Sequence, residues 1–271
     1  MQAYLWPFLF TVFVWWFTTG VIIYLDGLAR TTFKWTIAGM TMLLAVALFG
    51  IAEVAHLTTV WAAYLGFAFG LIAWGWQEVT FLTGAITGPR KTPCPADATG
   101  LKRVRYAIAA ILWHELATLV VGAVILIMTW NQPNQIALWT YVILWVMRQS
   151  AKLNVFLGAV NLSVEFLPQH MRYLGSYFRH RPMNGLFPFS ITFATLAAAA
   201  LAHVALAAEA GGFVQTGFTM LTTLLALAIL EHWFMVVPLP VTALWQWGLK
   251  SHKSTDEPAD GLDERITTPA Q

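Results

Sequence analysis

Cysteine and charge are the two things this sequence has least of. Cys94 is the one thiol in 271 residues, so no intramolecular disulfide can form and the redox compartment is not betrayed by cysteine usage. It lies in Lys91-Thr92-Pro93-Cys94-Pro95, a loop in which an inert thiol is the ordinary reading and a catalytic one the rarer alternative. Charged residues make up 10% of the chain, against roughly 25% in a soluble domain. A net charge of +2 leaves no basic footprint for nucleic acid. Signature loops are missing as well. Gly88-Pro89-Arg90 reads as a turn and not as a phosphate cradle, there is no Gly-x-Ser-x-Gly elbow, and His114-Glu115 is followed by Leu116, Ala117 and Thr118, not by a second histidine. No internal repeat is evident.

What is present is apolar. Hydrophobic residues make up 58% of the chain and 14 tryptophans are spread along it, more apolar surface than a soluble core of this length can hide. Seven stretches, at about 4–25, 35–56, 59–84, 104–130, 136–158, 185–208 and 213–240, are long enough to span about 30 Å of hydrocarbon as helices. The first is too long, and lacks the basic flank, for a cleaved signal peptide. The expected fold is an all-α polytopic membrane bundle over residues 1–250, followed by a disordered polar tail over 251–271.

The basic residues orient it. Arg30 and Lys34 fall in the first connection. Arg90, Lys91, Lys102, Arg103 and Arg105 fall around the third, Arg172, Arg179 and Arg181 in the fifth, and Lys250, Lys253 and Arg265 in the tail. The second, fourth and sixth connections hold no Lys or Arg. By the positive-inside rule the odd connections and the tail face the cytoplasm, and the N-terminus faces the periplasm. The fifth connection, from about 159 to 184, reads as an amphipathic segment at the membrane surface. A further interfacial piece, Val241 to Leu249, is expected after Pro238 and Pro240, anchored by Trp245 and Trp247.

Ionisable groups within the apolar stretches are costly and mark function or packing partners. Glu78, His114, Glu115, Arg148, Lys152, Glu231 and His232, with Asn154, fall at a similar depth toward the inner side, and form a candidate polar centre. Arg148 and Lys152, four residues apart, share a helix face, and Asn154 points away from it. Three uses remain open: pairing between helices; a metal site for iron or zinc drawn from Glu78, His114, Glu115, Glu231 and His232; and a pigment site, with His114 or His232 as axial ligand to bacteriochlorophyll or haem. The di-iron spacing Glu-x-x-His occurs at Glu53 and His56, near the outer end. Gly66, Gly70 and Gly75 suggest close helix approach.

Several ordered motifs carry a family resemblance. They are Phe13-Val14-Trp15-Trp16-Phe17 through Tyr24-Leu25-Asp26-Gly27, then Trp74-Gly75-Trp76-Gln77-Glu78 through Thr87-Gly88-Pro89-Arg90, and His114-Glu115-Leu116. Trp145-Val146-Met147-Arg148 through Lys152-Leu153-Asn154-Val155-Phe156-Leu157-Gly158, Asn161-Leu162, Glu165-Phe166-Leu167-Pro168, Arg181-Pro182-Met183-Asn184 and Glu231-His232-Trp233-Phe234 follow. Over residues 4 to 250 the chain resembles the photosynthetic complex assembly protein PuhE family of phototrophic proteobacteria. The resemblance implies a multi-pass protein of the inner, intracytoplasmic membrane. It further implies a role in assembling the reaction centre and light-harvesting complex, or in supplying bacteriochlorophyll to it. The implied partners are membrane lipid, reaction-centre or light-harvesting subunits and other assembly factors. It brings no catalytic residues. Two rival readings are a membrane metalloenzyme acting on a pigment or lipid-soluble precursor, and a small-anion transporter using Arg148 and Lys152, the latter weakened by the lack of inverted repeats.

Overall fold

In a chain this apolar, a backbone that must satisfy its own hydrogen bonds leaves helices as the dominant element. The computed structural model describes residues 2–162, 164–237 and 241–256. Among them are α1 (Gln2–Asp26), α2 (Phe33–Val54), α3 (Val60–Leu82), α4 (Gly100–Met128), α5 (Ile136–Leu157), α6 (Phe187–Ala207), α7 (Phe213–Phe234) and a short α8 (Gln246–Asp256). The described residues contain no strand, only a single bridge between Ala159 and His180. The fold is an all-α membrane bundle.

Seven long helices thus stand where seven spans are expected. Five of them, α1, α2 with its preceding turn, α4, α6 and α7, are long and apolar enough to cross a membrane on length and composition alone. The exceptions, α3 and α5, run 23 and 22 residues, about 33–35 Å, but carry Gln77, Glu78, Arg148, Gln149, Lys152 and Asn154. α3 reconciles length with polarity by lying inside. More than half of α3 is buried, and it packs against α1, α2, α4, α5 and α7. The approach of α3 to α5 depends on Gly70, where a methyl group would stand 2.8 Å from the Ala137 carbonyl oxygen.

One end of the bundle is tied by Asn134. Its amide donates to the Val54 and Ala62 carbonyls, each at 3.0 Å, while its Oδ1 accepts from the Ile136 N–H at 3.2 Å. One buried side chain so caps the first N–H of α5 and ties that end to main-chain carbonyls at the end of α2 and the start of α3. At the opposite end, the 159–184 connection is not spread on a membrane surface. It winds into tight turns at Val164–Phe166 and Gln169–Tyr177. Met171, Leu174 and Tyr177 are buried against Phe81, Leu82 and Ala110, and form a lid over the end of α3. The apolar side of this amphipathic segment found protein in place of lipid.

The expected boundary at 250 falls within α8. That helix runs on to Asp256, and His252 donates its Nε2–H to Asp26 Oδ1 at 2.7 Å and sits 3.1 Å from the Ile23 carbonyl. The rest of the expected tail, 257–271, lies outside the described residues, as do Pro238 and Pro240. The interfacial piece expected from Val241 to Leu249 is the turn Val241–Trp245 followed by α8.

Candidate functional site

The polar centre begins on α5. Arg148 and Lys152 project from one side of this helix but reach different neighbours. Arg148 Nη2 donates to Glu78 Oε2 of α3 at 3.0 Å. Lys152 Nζ pairs with Glu115 Oε1 of α4. Gln149, three residues before Lys152 and therefore on its side of the helix, donates to the other Glu115 oxygen at 2.6 Å. Two carboxylates that share no helix are thus drawn to one turn of α5. Solvation does not compete strongly with these pairs. The Glu78 side chain is 11% exposed, and Glu115 and Lys152 are each 23% exposed, whereas Arg148 keeps 41%. In a medium poorer than water in donors, removing one partner strands a charge, which costs more than the pair contributes.

Beside these pairs lies His114. It is 2% exposed, its ring centroid stands 4.5 Å from that of Phe81, and its Nδ1 has no partner. It stands within electrostatic reach of Lys152 and Arg148. The backbone here is unusual. The His114 N–H, which a regular helix would give to Ala110, donates to the Thr87 carbonyl at 2.8 Å, and the Arg90 N–H donates to the Ala109 carbonyl at 3.1 Å. The connection between α3 and α4 is in this way stitched along α4. Gly88 allows it, since a Cβ there would lie 2.2 Å from the Ala109 oxygen. Deeper in, Gln77 donates to Tyr141 Oη at 3.1 Å, and Tyr141 donates to the Thr118 carbonyl at 2.9 Å, so this seam is also hydrogen-bonded.

Asn154 does turn to another side. It donates to Ser190 Oγ of α6 at 3.1 Å and to the Ser150 carbonyl at 2.9 Å, and accepts from the Asn184 amide at 3.0 Å. Asn184 then accepts from the Leu186 and Phe187 N–H groups, at 2.8 and 3.2 Å, and so caps the start of α6. His232 joins the same network. Its Nδ1 lies 2.9 Å from the Ala228 carbonyl, which can only accept, so Nδ1 carries the proton and Nε2 accepts from the Ser150 hydroxyl at 2.9 Å.

Glu231 departs from the set. It is exposed on α7 and accepts from Trp15 Nε1 of α1 at 2.8 Å. The eight expected residues are therefore divided. Glu78, His114, Glu115, Arg148 and Lys152 come together on α3, α4 and α5. Asn154 and His232 belong to a seam between α5, α6 and α7, and Glu231 to the seam between α1 and α7. Adjacent residues on a helix point about 100° apart, which is why Glu231 and His232 part company. Among the described residues, no three of His, Cys, Asp or Glu are placed to hold a metal ion. Nor does either expected axial ligand suit a pigment. Both His232 nitrogens are engaged, and His114, shut against Phe81, offers no face on which a macrocycle could lie.

Gln149, Gln77, Tyr141, Ser150 and Asn184 belong to these networks and were missing from the expected set. Polar residues in an apolar helix three or four positions from a charge would have pointed to Gln149. Arg103, counted as a cytoplasmic charge, is buried; its guanidinium donates to the Phe156 carbonyl at 3.0 Å and to that of Tyr177, and lies over the Phe156 ring. It so ties one of the last carbonyls of α5 to the end of the lid.

Comparisons with known proteins agree on one kinship. A family described as "Protein of unknown function (DUF3623)" matches residues 1–256. A relative from Rhodobacter capsulatus, described as "Uncharacterized 30.4 kDa protein in puhA 5'region", is 38% identical over 260 residues, which is 94% of this chain and 93% of the relative. No solved structure matches the chain.

Proposed function

The chain belongs to the DUF3623 family, and from that premise we propose that it is an integral membrane factor assisting assembly of the bacterial photosynthetic reaction centre and light-harvesting complex, or the supply of bacteriochlorophyll to it. The relative's printed description places that protein beside puhA, in keeping with a photosynthetic role. The motif resemblance to the PuhE family gives the role its finer form.

The observation that carries the reading is where the polar groups are spent. Glu78 with Arg148, Glu115 with Lys152 and Asn154 with Asn184 each cross a seam between helices. They fix the bundle by pairing one helix with the next. The outward faces of α2, α4 and α6 meanwhile offer large apolar side chains, among them Trp35, Met42, Phe49, Trp113, Ile127 and Phe193. A rigid frame with a broad apolar exterior is suited to holding apoprotein helices or a lipid-soluble pigment for a time. In this reading the protein sits in the inner, intracytoplasmic membrane, crosses it seven times, and keeps its N-terminus in the periplasm.

Deleting the gene in a phototrophic host should lower the near-infrared absorption of assembled complexes, and an affinity-tagged chain should co-purify reaction-centre or light-harvesting subunits. Unchanged complexes together with no such partner would overturn the role. A reporter fused after Asn134 should report from the periplasm; a cytoplasmic signal would refute the orientation.

A further inference from the structure

A histidine of α6 has no bonding partner among the described residues. His203 of α6 is exposed, and among the described residues it has no hydrogen bond, ion pair or ring contact. α6 itself is long and apolar enough to cross a membrane, and it packs chiefly on α7. Its buried residues in this stretch, Ala194 and Ala205, lie about 180° around the helix from His203. The imidazole therefore faces directly away from the bundle, toward lipid. His203 stands four residues before the end of the helix at Ala207, about 6 Å of rise, and helical side chains lean back toward the N-terminus, so its ring is carried into the apolar layer.

An unpartnered imidazole in that position forfeits hydrogen bonds that water would supply. Histidine is also the commonest metal ligand among side chains. The surface under the ring is shaped for a flat partner. One turn toward the N-terminus lie Ala199 and Ala200, both exposed, and a helical side chain covers that preceding turn. The next large residue on this face is Leu196, 61% exposed, seven residues back and about 10 Å along the axis. Between it and His203 this face of the helix offers only methyl groups, since Leu201 packs against the core.

We propose that His203 is the axial ligand of a five-coordinate metallated tetrapyrrole, a magnesium chlorin of the bacteriochlorophyll type, lying on the lipid face of α6 over Ala199 and Ala200. The proposal rests on the photosynthetic reading above and gives it a pigment site. A single open axial position matches a single histidine, since no second ligand stands across the exposed face. The apolar periphery of the pigment is solvated by lipid and by Leu206, which is 69% exposed on the same face.

Full-length protein purified free of pigment and placed in lipid nanodiscs is titrated with bacteriochlorophyll a and, separately, with haem b. Saturable uptake of a single bacteriochlorophyll per chain is expected, with a displaced near-infrared band and induced circular dichroism. His203→Leu should weaken binding at least ~10-fold and abolish the spectral displacement. Ala200→Phe should do the same although it keeps the imidazole, because the ring floor is filled. Both positions are exposed, so helical content and the thermal midpoint should not change. Undiminished binding by His203→Leu, uptake that never saturates, or preference for haem would each overturn the site. If His203→Leu binds as the parent does while gene deletion still lowers complex levels, this site fails and the assembly role stands. If deletion leaves complexes intact while wild type binds pigment through His203, the assembly role fails and the site stands.

Discussion

Arg148 and Lys152, one turn apart on α5, pair with carboxylates on two different helices: Glu78 on α3 and Glu115 on α4. A single helical turn is therefore the common fastening of three helices. Glu115→Ala should destabilise the bundle by about 3 kcal/mol, the low end for breaking a buried pair because both partners keep some exposure. Removing both charges, in Glu115→Gln with Lys152→Met, should recover most of that loss. Thermal unfolding in detergent followed by circular dichroism decides it; a double variant no better than the single would show that the pair is not what the stability rests on.

Asn134→Ala removes the acceptor that caps the Ile136 N–H and the two donors that tie α5 to the Val54 and Ala62 carbonyls. A buried donor left bare costs about 1–3 kcal/mol, so a loss of about 2 kcal/mol is expected in the same assay. Asn134→Asp preserves the acceptor to Ile136 but adds a charge, and should be no milder.

Gly88→Ala should be the most damaging single methyl in the chain. Its Cβ would lie 2.2 Å from the Ala109 oxygen, and backbone cannot step aside as a side chain can. The loop must leave α4, which frees the Thr87 and Ala109 carbonyls. A loss of about 3 kcal/mol and increased cleavage of the 84–98 connection in limited proteolysis are expected; protection equal to the parent's would refute the stitched arrangement.

Acid should loosen the lid. Burial holds the His170 imidazole below its ordinary pKa of 6.5, and the charge on Arg30 adds to this. The unfolded chain then binds a proton before the folded one does as pH falls through about 6.5. The contribution is complete at pH 8 and declines below about 6.5. The thermal midpoint should fall between pH 7.5 and 5.5, and His170→Asn should flatten that slope. A slope unchanged in the variant would assign the acid sensitivity elsewhere.

The helices were legible because long apolar runs announce themselves, and α3 and α5 were legible as helices despite their polar residues because the runs around them remain long. The pairing of α5 with two partners was half legible. The spacing of Arg148 and Lys152 gives their shared side and the opposite aim of Asn154, but no spacing reveals which helix lies there. Depth along the axis suggested that Glu231 and His232 joined the centre; rotation about the axis, which depth does not encode, sent them to other seams. Asn134 and Arg103 were hidden for a different reason. Their work is to serve main-chain carbonyls, and those carry no sequence signature. The bond between Asp26 and His252 joins residues 226 positions apart, across a separation over which no local pattern reaches.

The indole of Trp16 donates to the Leu244 carbonyl at 2.9 Å, and the indole of Trp245 returns the bond to the Trp16 carbonyl at 3.0 Å. These two clasps fasten α1 to a segment more than two hundred residues further along the sequence. During translation they stay open until that segment has left the ribosome, and α1 is held meanwhile by its packing on α3. A polypeptide cut short before Leu244 would keep that early contact but leave both clasps undone, an unlatched seam that a quality-control protease can read.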